Sequence, residues 1–442
     1  MVQSLANFFT RIMQRWLPDA FLFAVILTFV VLLGGVLAEG KTPHEMVNYW
    51  GSGLWNLLTF SMQVMLTLVT GHMLAQTPVV HGALRSVAGL AKTPGQAIVM
   101  MTVIALVGCW INWGFGLIAS ALFAREMALR VKGVHYPLLV AAAYSGMLIW
   151  HAGLSGSIPL KIAVDDGGTL GRMLGGQTVP VSETIFSGPV LLICGVILVT
   201  LPLLNCLMMP KTEDVREIDV HKLEQGAVHM PVHGELTPAE RLENSRIISL
   251  LLGAMGAYYL VTHFVDGGKL GLNTVNMIFL VLAILLHKTP ANLLNALQDA
   301  IRSTSGIVLQ FPLYAGIMGM MVQSGLAVSI SEWFVAISTA QTFPLFTFIS
   351  AGIVNFFVPS GGGQWAVQAP IVLPAAESLG VPLNQAAMAV AFGDAWTNMV
   401  QPFWALPLLG IAGLGIKDIM GYCCVALLWS GLVMGLGMLL LF

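Results

Sequence analysis

The chain has 442 residues, of which 57% are hydrophobic and only 9% charged, with a formal net charge of −2 and a mean hydropathy of +0.84. A soluble globular chain carries about 45–50% apolar and about 25% charged residues, so this one lacks the polar material to cover a water-facing surface, and its solvent is largely lipid. That excludes a cytosolic enzyme and a secreted disulfide scaffold, and the balanced charge offers no nucleic acid a basic face.

In chain order, residues 1–17 place Leu5, Phe8, Phe9, Ile12, Met13 and Trp16 at helical spacing with Arg11, Gln14 and Arg15 between them, which predicts an amphipathic helix in the membrane interface. The apolar run 20–38 imitates a signal peptide, but its 19 residues are long enough to span, and it is read as a retained helix. Further spans are expected at about 54–76, 187–208, 247–265, 274–286, 304–323 and 418–442. Residues 211–246 hold 13 of the 40 charged groups and form a solvated cytoplasmic linker, with a capping box at Thr237 and Glu240. Cys109, Cys194, Cys206, Cys423 and Cys424 show no metal-ligand spacing, so no metal site and no cofactor is expected.

The sequence repeats itself. Lys41-Thr42-Pro43 recurs as Lys288-Thr289-Pro290 (288 − 41 = 247), and the same offset carries Asn48 onto Asn295, Gln63 onto Gln310 and Gln76 onto Gln323. Asn112 falls near Asn355 and Pro159 near Pro407, at offsets of 243 and 248. With a cytoplasmic N-terminus, 15 Lys and Arg lie inside and 4 (Lys41, Lys161, Arg172, Lys269) outside. That split holds when 95–132 and 344–376 enter and leave on one side as re-entrant hairpins, which makes the two repeats inverted. The expected fold is therefore an all-α polytopic membrane protein. Its first repeat is 18–210 (hairpin 95–132, discontinuous helix 137–170). A connecting helix at 247–273 leads to the second repeat, 274–442 (hairpin 344–376, discontinuous helix 383–414).

Four stretches break the apolar pattern with residues able to do chemistry. Asn112-Trp113-Gly114-Phe115-Gly116 and Asn355-Phe356-Phe357-Val358-Pro359-Ser360-Gly361-Gly362-Gly363 read as hairpin tips. Irregular backbone at membrane depth is tolerated where it lines a cavity or is buried in protein, and its free N–H groups suit an anion. Tight glycine-mediated helix packing is the other use of such residues. Trp150-His151-Ala152-Gly153-Leu154-Ser155-Gly156-Ser157 and Gly393-Asp394-Ala395-Trp396-Thr397-Asn398-Met399-Val400-Gln401-Pro402 read as breaks in discontinuous helices. An ionised Asp at a helix centre costs about 2.5–3.5 kcal/mol on insertion scales, so Asp394 needs a cation, a proton or a polar cavity; a neutral structural Asp is the alternative. His151 serves equally as a proton relay or a satisfied core residue. Gly153-Leu154-Ser155-Gly156 also matches the Gly-x-Ser-Gly of rhomboid intramembrane proteases, where a serine needs a histidine base on a neighbouring helix.

Asn112-Trp113-Gly114-Phe115-Gly116 and Pro359-Ser360-Gly361-Gly362-Gly363, together with Gln401-Pro402-Phe403-Trp404-Ala405-Leu406-Pro407, Arg11 with Arg15-Trp16-Leu17-Pro18-Asp19, and Lys417-Asp418-Ile419-Met420-Gly421-Tyr422, resemble the AtoE family of bacterial short-chain fatty acid transporters along essentially the whole chain. The resemblance implies inner-membrane uptake of monocarboxylates such as butyrate or acetoacetate. It also implies kinship with the ion transporter superfamily, whose members are mostly homodimers with hairpin-bearing domains that move against a scaffold. No Lys or Arg falls in the four broken stretches, so the substrate carboxylate is expected on Asn112, Gly114, Gly116, His151, Ser155, Ser157, Asn355, Ser360, Gly361, Gly362 and Gly363. A coupling proton or sodium ion is expected near Asp394, Thr397, Asn398 and Gln401. The leading reading is a symporter with elevator-type alternating access; a passive carboxylate channel and an intramembrane serine protease are the alternatives.

Overall fold

The computed structural model describes residues 2–163, 178–217, 237–268, 272–301 and 304–442. Most of the charged linker (218–236), the expected continuation of the first broken segment past 163, and Arg172, Lys269 and Arg302 of the charge count lie outside these.

The chain begins with α1 (Val2–Trp16), α2 (Ala20–Ala38), α3 (Pro43–Gly53), α4 (Leu58–Ala75) and α5 (Pro78–Ala88). A helical hairpin of α6 (Pro94–Ile111) and α7 (Trp113–Arg130) follows, then a segment of α8 (Tyr136–Tyr144), two 3₁₀ turns and α9 (Ser157–Ile162), and finally α10 (Gly188–Leu207). Between the halves stand the short α11 (Pro238–Glu243) and α12 (Arg246–Val265). The Thr237/Glu240 capping box forms, but it starts α11 only; a break at Asn244 and Ser245 separates that helix from the α12 span. The second half holds α13 (Leu272–His287), α14 (Pro290–Ile301), α15 (Ser305–Ser324) and α16 (Leu326–Ala336). Its hairpin is α17 (Phe343–Phe357) and α18 (Gly361–Leu379), its broken segment is α19 (Leu383–Thr397) and α20 (Pro402–Ala412), and α21 (Ile416–Leu440) ends the chain.

Among the described residues six spans are long and apolar enough to cross a bilayer, and up to eight if the bent pairs α3 with α4 (44°) and α15 with α16 (59°) each count as one. On α1, Phe9 and Met13 pack on the core while Leu5, Phe8 and Trp16 face outward. The helix lies so close over α21 that a Cβ on Gly421 would come within 2.2 Å of Thr10 Oγ1.

The element order of the first half recurs in the second. Pro43 and Pro290, Leu58 and Ser305, and Tyr136 and Leu383 open equivalent helices 247 residues apart, and Trp113 and Gly361 do so at 248. The halves interlock reciprocally: α2 and α3 pack on α15, while their counterparts α13 and α14 pack on α4. Gly53, Gly316 and Gly319 admit the close crossing of α3 and α15, where a Cβ on Gly53 would meet the Ala315 carbonyl at 2.9 Å.

The broken segments lie side by side and antiparallel. Tyr136 donates to the Ala412 carbonyl, Tyr144 to the Asn398 carbonyl, and His151 meets Asp394. Equivalent elements thus run in opposite directions, as inverted repeats do, and likewise Thr200 and Gly437 of the antiparallel α10 and α21 meet Trp429 and Ile193. The whole is an all-α polytopic membrane protein of two inverted halves with hairpins and discontinuous helices.

Candidate functional site

Both breaks arise where the helical ladder gives out at glycine or before proline. In the first, 3₁₀ turns over Ser145–Leu148 and Trp150–Ala152 lead to an extended Gly153. A Cβ there would stand 2.1 Å from the Trp110 carbonyl, and one on Gly156 2.3 Å from the His151 carbonyl, so only glycine lets the hairpin tip and the break touch backbone to backbone. In the second, the 3₁₀ turn Asn398–Val400 meets Gln401, whose side chain accepts from the Phe403 N–H and caps α20. His151 and Asn398 stand 247 residues apart at the centres of the two breaks.

The breaks join through one ion-dipole contact. His151 Nδ1 lies 2.8 Å from Asp394 Oδ2, with side-chain exposures of 0% and 1%. The Ile158 N–H donates to His151 Nε2, so Nε2 carries a lone pair and the ring proton sits on Nδ1, donated to the carboxylate. His151 is therefore neutral in this arrangement and brings no positive charge to the Asp394 carboxyl group. Asp394 Oδ1 has no partner. From α17, Asn355 Nδ2 reaches the Asp394 carbonyl, Thr397 Oγ1 and Asn398 Oδ1, while its own Oδ1 is likewise unpartnered. Thr397 in turn donates to the Gly352 carbonyl. Among the described residues, two buried acceptor oxygens without donors thus belong to one hydrogen-bonded cluster, beside two amide donors without acceptors, Asn398 Nδ2 and Gln401 Nε2; a cation or proton would complete the oxygens.

The second hairpin tip closes on this pair. Ser360 Oγ accepts from the Gly363 N–H and caps α18. A Cβ on Gly361 would stand 2.6 Å from His151 Cε1, and one on Gly362 3.1 Å from Lys161 Nζ. Lys161 donates to the Gly362 carbonyl at 3.3 Å. An ammonium from α9, four residues past Ser157, thus stands at the glycine run, a charge that the reading of the four broken stretches did not include. Its approach is a tertiary contact across 201 residues, and no local spacing signals it.

The first tip is built differently. Asn112 Oδ1 caps α7 through the Phe115 N–H, and Ser155 Oγ accepts from the Trp113 N–H. The role of Asn112 is therefore matched by Ser360 (360 − 112 = 248), a correction to the pairing with Asn355, which sits inside α17 and faces the second break. Gly116 packs against the backbone of Gly108 and Cys109, and Gly114 borders a small hollow with Val64, Thr67 and Pro407. Ser157 opens α9. Both His151 nitrogens are occupied, and among the described residues no histidine bonds Ser155, so this arrangement does not form the serine–histidine contact of a protease.

One group escaped sequence reasoning. Trp150 stacks on His151 at 4.2 Å and meets Trp113 and Trp404; Phe60 of α4 and Phe311 of α15 stack with Phe403. An aromatic seam therefore runs between the hairpin-bearing elements and the interlocked helices. Aromatic residues are too ordinary in apolar segments to announce it.

Residues 1–441 match the protein family described as short chain fatty acid transporter. Two proteins named as candidate short-chain fatty acid transporters are similar along their whole length: one from Escherichia coli (strain K12), 47% identical over all of both chains, and one from Haemophilus influenzae (strain ATCC 51907 / DSM 11121 / KW20 / Rd), 42% identical over 99% of each. The crystal structure of the Alcanivorax borkumensis YdaH transporter, described as having an unusual topology, aligns over 96% of this chain and 97% of that one at 14% identity and a TM-score of 0.39, too loose a likeness to assign a fold. With its antiparallel broken helices, its buried carboxylate and this full-length match, the chain belongs to the short-chain fatty acid transporter family.

Proposed function

We propose that this protein imports short-chain monocarboxylates such as butyrate or acetoacetate together with a proton or a sodium ion, by alternating access. The observation that carries the reading is the charge inventory at the second hairpin tip: Lys161 on one side, the Asp394 carboxylate on the other, and a neutral His151 between them. The empty site sums to zero. A carboxylate alone would leave one uncompensated negative charge in a low-dielectric setting and a cation alone one positive charge, whereas the two together restore neutrality. That asymmetry couples the two species, and it disfavours a dianion, which would need a second cation.

In this reading the carboxylate sits between Lys161 and the free N–H groups of Gly361 and Gly362, with Ser155, Ser157 and the Asn112 tip on the opposite side. The cation takes Asp394 Oδ1 and Asn355 Oδ1, with Thr397, Asn398 and Gln401 around it. The hairpins re-enter the membrane and move with the broken helices as an elevator along the aromatic seam. A homodimer in the bacterial inner membrane with a cytoplasmic N-terminus belongs to the same proposal, supported by the family resemblance and the lysine and arginine distribution.

The test is labelled butyrate uptake into proteoliposomes under imposed proton or sodium gradients. The wild type should saturate and follow one gradient. Asp394→Asn should lose gradient-driven uptake, and Lys161→Met should raise KM about tenfold or more, about 1.4 kcal/mol, with Lys161→Arg intermediate. Unsaturable uptake indifferent to both gradients indicates a channel, and wild-type driven uptake by Asp394→Asn removes that carboxylate from coupling.

A further inference from the structure

A second polar cavity lies far from the breaks, where the ends of three spans meet under α1. Pro137 lies in the first turn of α8, Pro210 follows α10 and Asp418 lies in the first turn of α21, and these ends, with α1 itself, border an open cavity of about 460 Å³. The wall carries Asn7, Thr10, Arg11, Gln14, His135, Asp214, Arg216, Asp418 and Tyr422.

Most of its charge is already committed. Arg216 Nη2 donates to Asp418 Oδ1 at 2.9 Å, and Asp418 Oδ2 accepts from the Gly415 N–H. The charged groups left over among the described residues are the terminal nitrogens of Arg11, whose Nε alone is bonded, to the Asn7 carbonyl, and the Asp214 carboxylate. A third open group follows from the hydrogen-bond directions. The Arg216 N–H donates to His135 Nδ1, so Nδ1 holds a lone pair and the proton of the neutral ring is on Nε2. Nε2 lies 2.9 Å from Tyr422 Oη, which therefore accepts, and the phenolic hydrogen is left without an acceptor although Tyr422 is only 4% exposed. Thr10 Oγ1 is also buried without a partner. Burial, with the Arg216 charge nearby, pushes His135 down to about 4 against the opposing pull of Asp214, in keeping with the neutral ring.

The cavity thus offers a guanidinium and a buried hydroxyl donor for an anionic oxygen group, and a carboxylate for a cation. A simple anion satisfies only the first set. The cavity sits at the level where α1 turns Leu5, Phe8 and Trp16 outward, the depth at which an amphipathic interfacial helix meets headgroups. We propose that it is a binding site for a phosphoethanolamine headgroup of a membrane phospholipid, with the phosphate at Arg11 and Tyr422 and the primary ammonium at Asp214. A quaternary ammonium has no N–H for Asp214, and a glycerol headgroup has no cation.

The experiment uses the full-length protein in nanodiscs of dioleoyl phosphatidylethanolamine, phosphatidylcholine or phosphatidylglycerol, with retained lipid counted by native mass spectrometry. Phosphatidylethanolamine should be retained about fivefold or more over the other two. Arg11→Ala and Asp214→Asn should each erase that preference, and Tyr422→Phe, which keeps the ring, should reduce it. Water-soluble O-phosphoethanolamine should compete only weakly. Equal retention of the three lipids, indifference to Asp214→Asn, or competition by the soluble headgroup as strong as by the lipid would each overturn the proposal. Because lipid retention is read without transport, this result stands apart from the symport reading.

Discussion

A carboxylate at 1% exposure inside an apolar bundle is tolerable only with its charge answered, and here a neutral histidine donates to one of its two oxygens and supplies no countercharge. The same hydrogen-bond logic governs His135, whose two nitrogens tie the 211–217 segment to α8 and α21 through the Arg216 N–H and Tyr422. Among the described residues Arg11, Arg216, Asp214, Asp418 and Tyr422 are the ionisable groups that share its cavity. Because the folded-state value is about 4 against an ordinary 6.5, a detached His135 takes up a proton as pH falls below 6.5 while the attached one does not. Attachment is at full strength above that pH, weakens between 6.5 and about 4, and then levels off. Hydrogen exchange at the Arg216 and Tyr136 amides should accelerate from pH 7.5 to 5 after correction for intrinsic rates, and His135→Gln should flatten the dependence; a pH-independent wild type would contradict it. At this scale the sequence was legible where a residue type was odd for its surroundings: Asp394 and three successive glycines stand out in an apolar chain. It was opaque where meaning comes from a partner, since the Asp394 contact to His151 spans 243 residues and Lys161 looks like one more boundary cation until Gly362 is placed against it.

Helices were the most legible elements, because about twenty apolar residues between Pro, Gly and polar caps leave few alternatives in lipid. The breaks were legible too, though which helix each glycine touches was not. That distinction separates glycines that look alike in sequence. Gly361→Ala would push a methyl to 2.6 Å from His151 Cε1 and 3.2 Å from Trp150, two fully packed rings, so transport should fall about tenfold or more with the fold retained. Gly116→Ala would meet the Gly108 and Cys109 backbone at 2.3 Å; backbone cannot yield as a side-chain tip does, and overpacking costs typically about 1–3 kcal/mol. Gly195→Ala meets nothing within 4 Å and gains about 0.5–1 kcal/mol of helix propensity, so it serves as the control. Thermal unfolding and uptake measured together on the three variants check the ranking; comparable losses in all of them would show that flexibility, not contact, is what the glycines supply.

At the scale of the molecule, the repeat was readable from a nearly constant offset of about 247 and its inversion from the lysine and arginine distribution, while the interlocking of α3 with α15 and α14 with α4 was not, because an offset says which elements correspond and nothing about which ones touch. That interlocking divides the protein as the proposed elevator would need. The reciprocally packed α2–α4 and α13–α15 form one group, the hairpins and broken helices another, and aromatic rings meet across the seam between them. Trp404 meets Phe60 across it at 6.0 Å between ring centroids, edge to face, a contact that holds by area and quadrupole with no hydrogen bond to break. Such a surface suits sliding. In a background freed of the five native cysteines, Phe60→Cys with Trp404→Cys should be linked by a short bifunctional thiol reagent, and linkage should abolish butyrate uptake while leaving butyrate binding in place. Reduction of a cleavable linker should restore transport. Uptake that continues at the same rate with the seam covalently closed would mean that the two bodies do not move past one another there, and the elevator reading would have to give way to a gate confined to the hairpin tips.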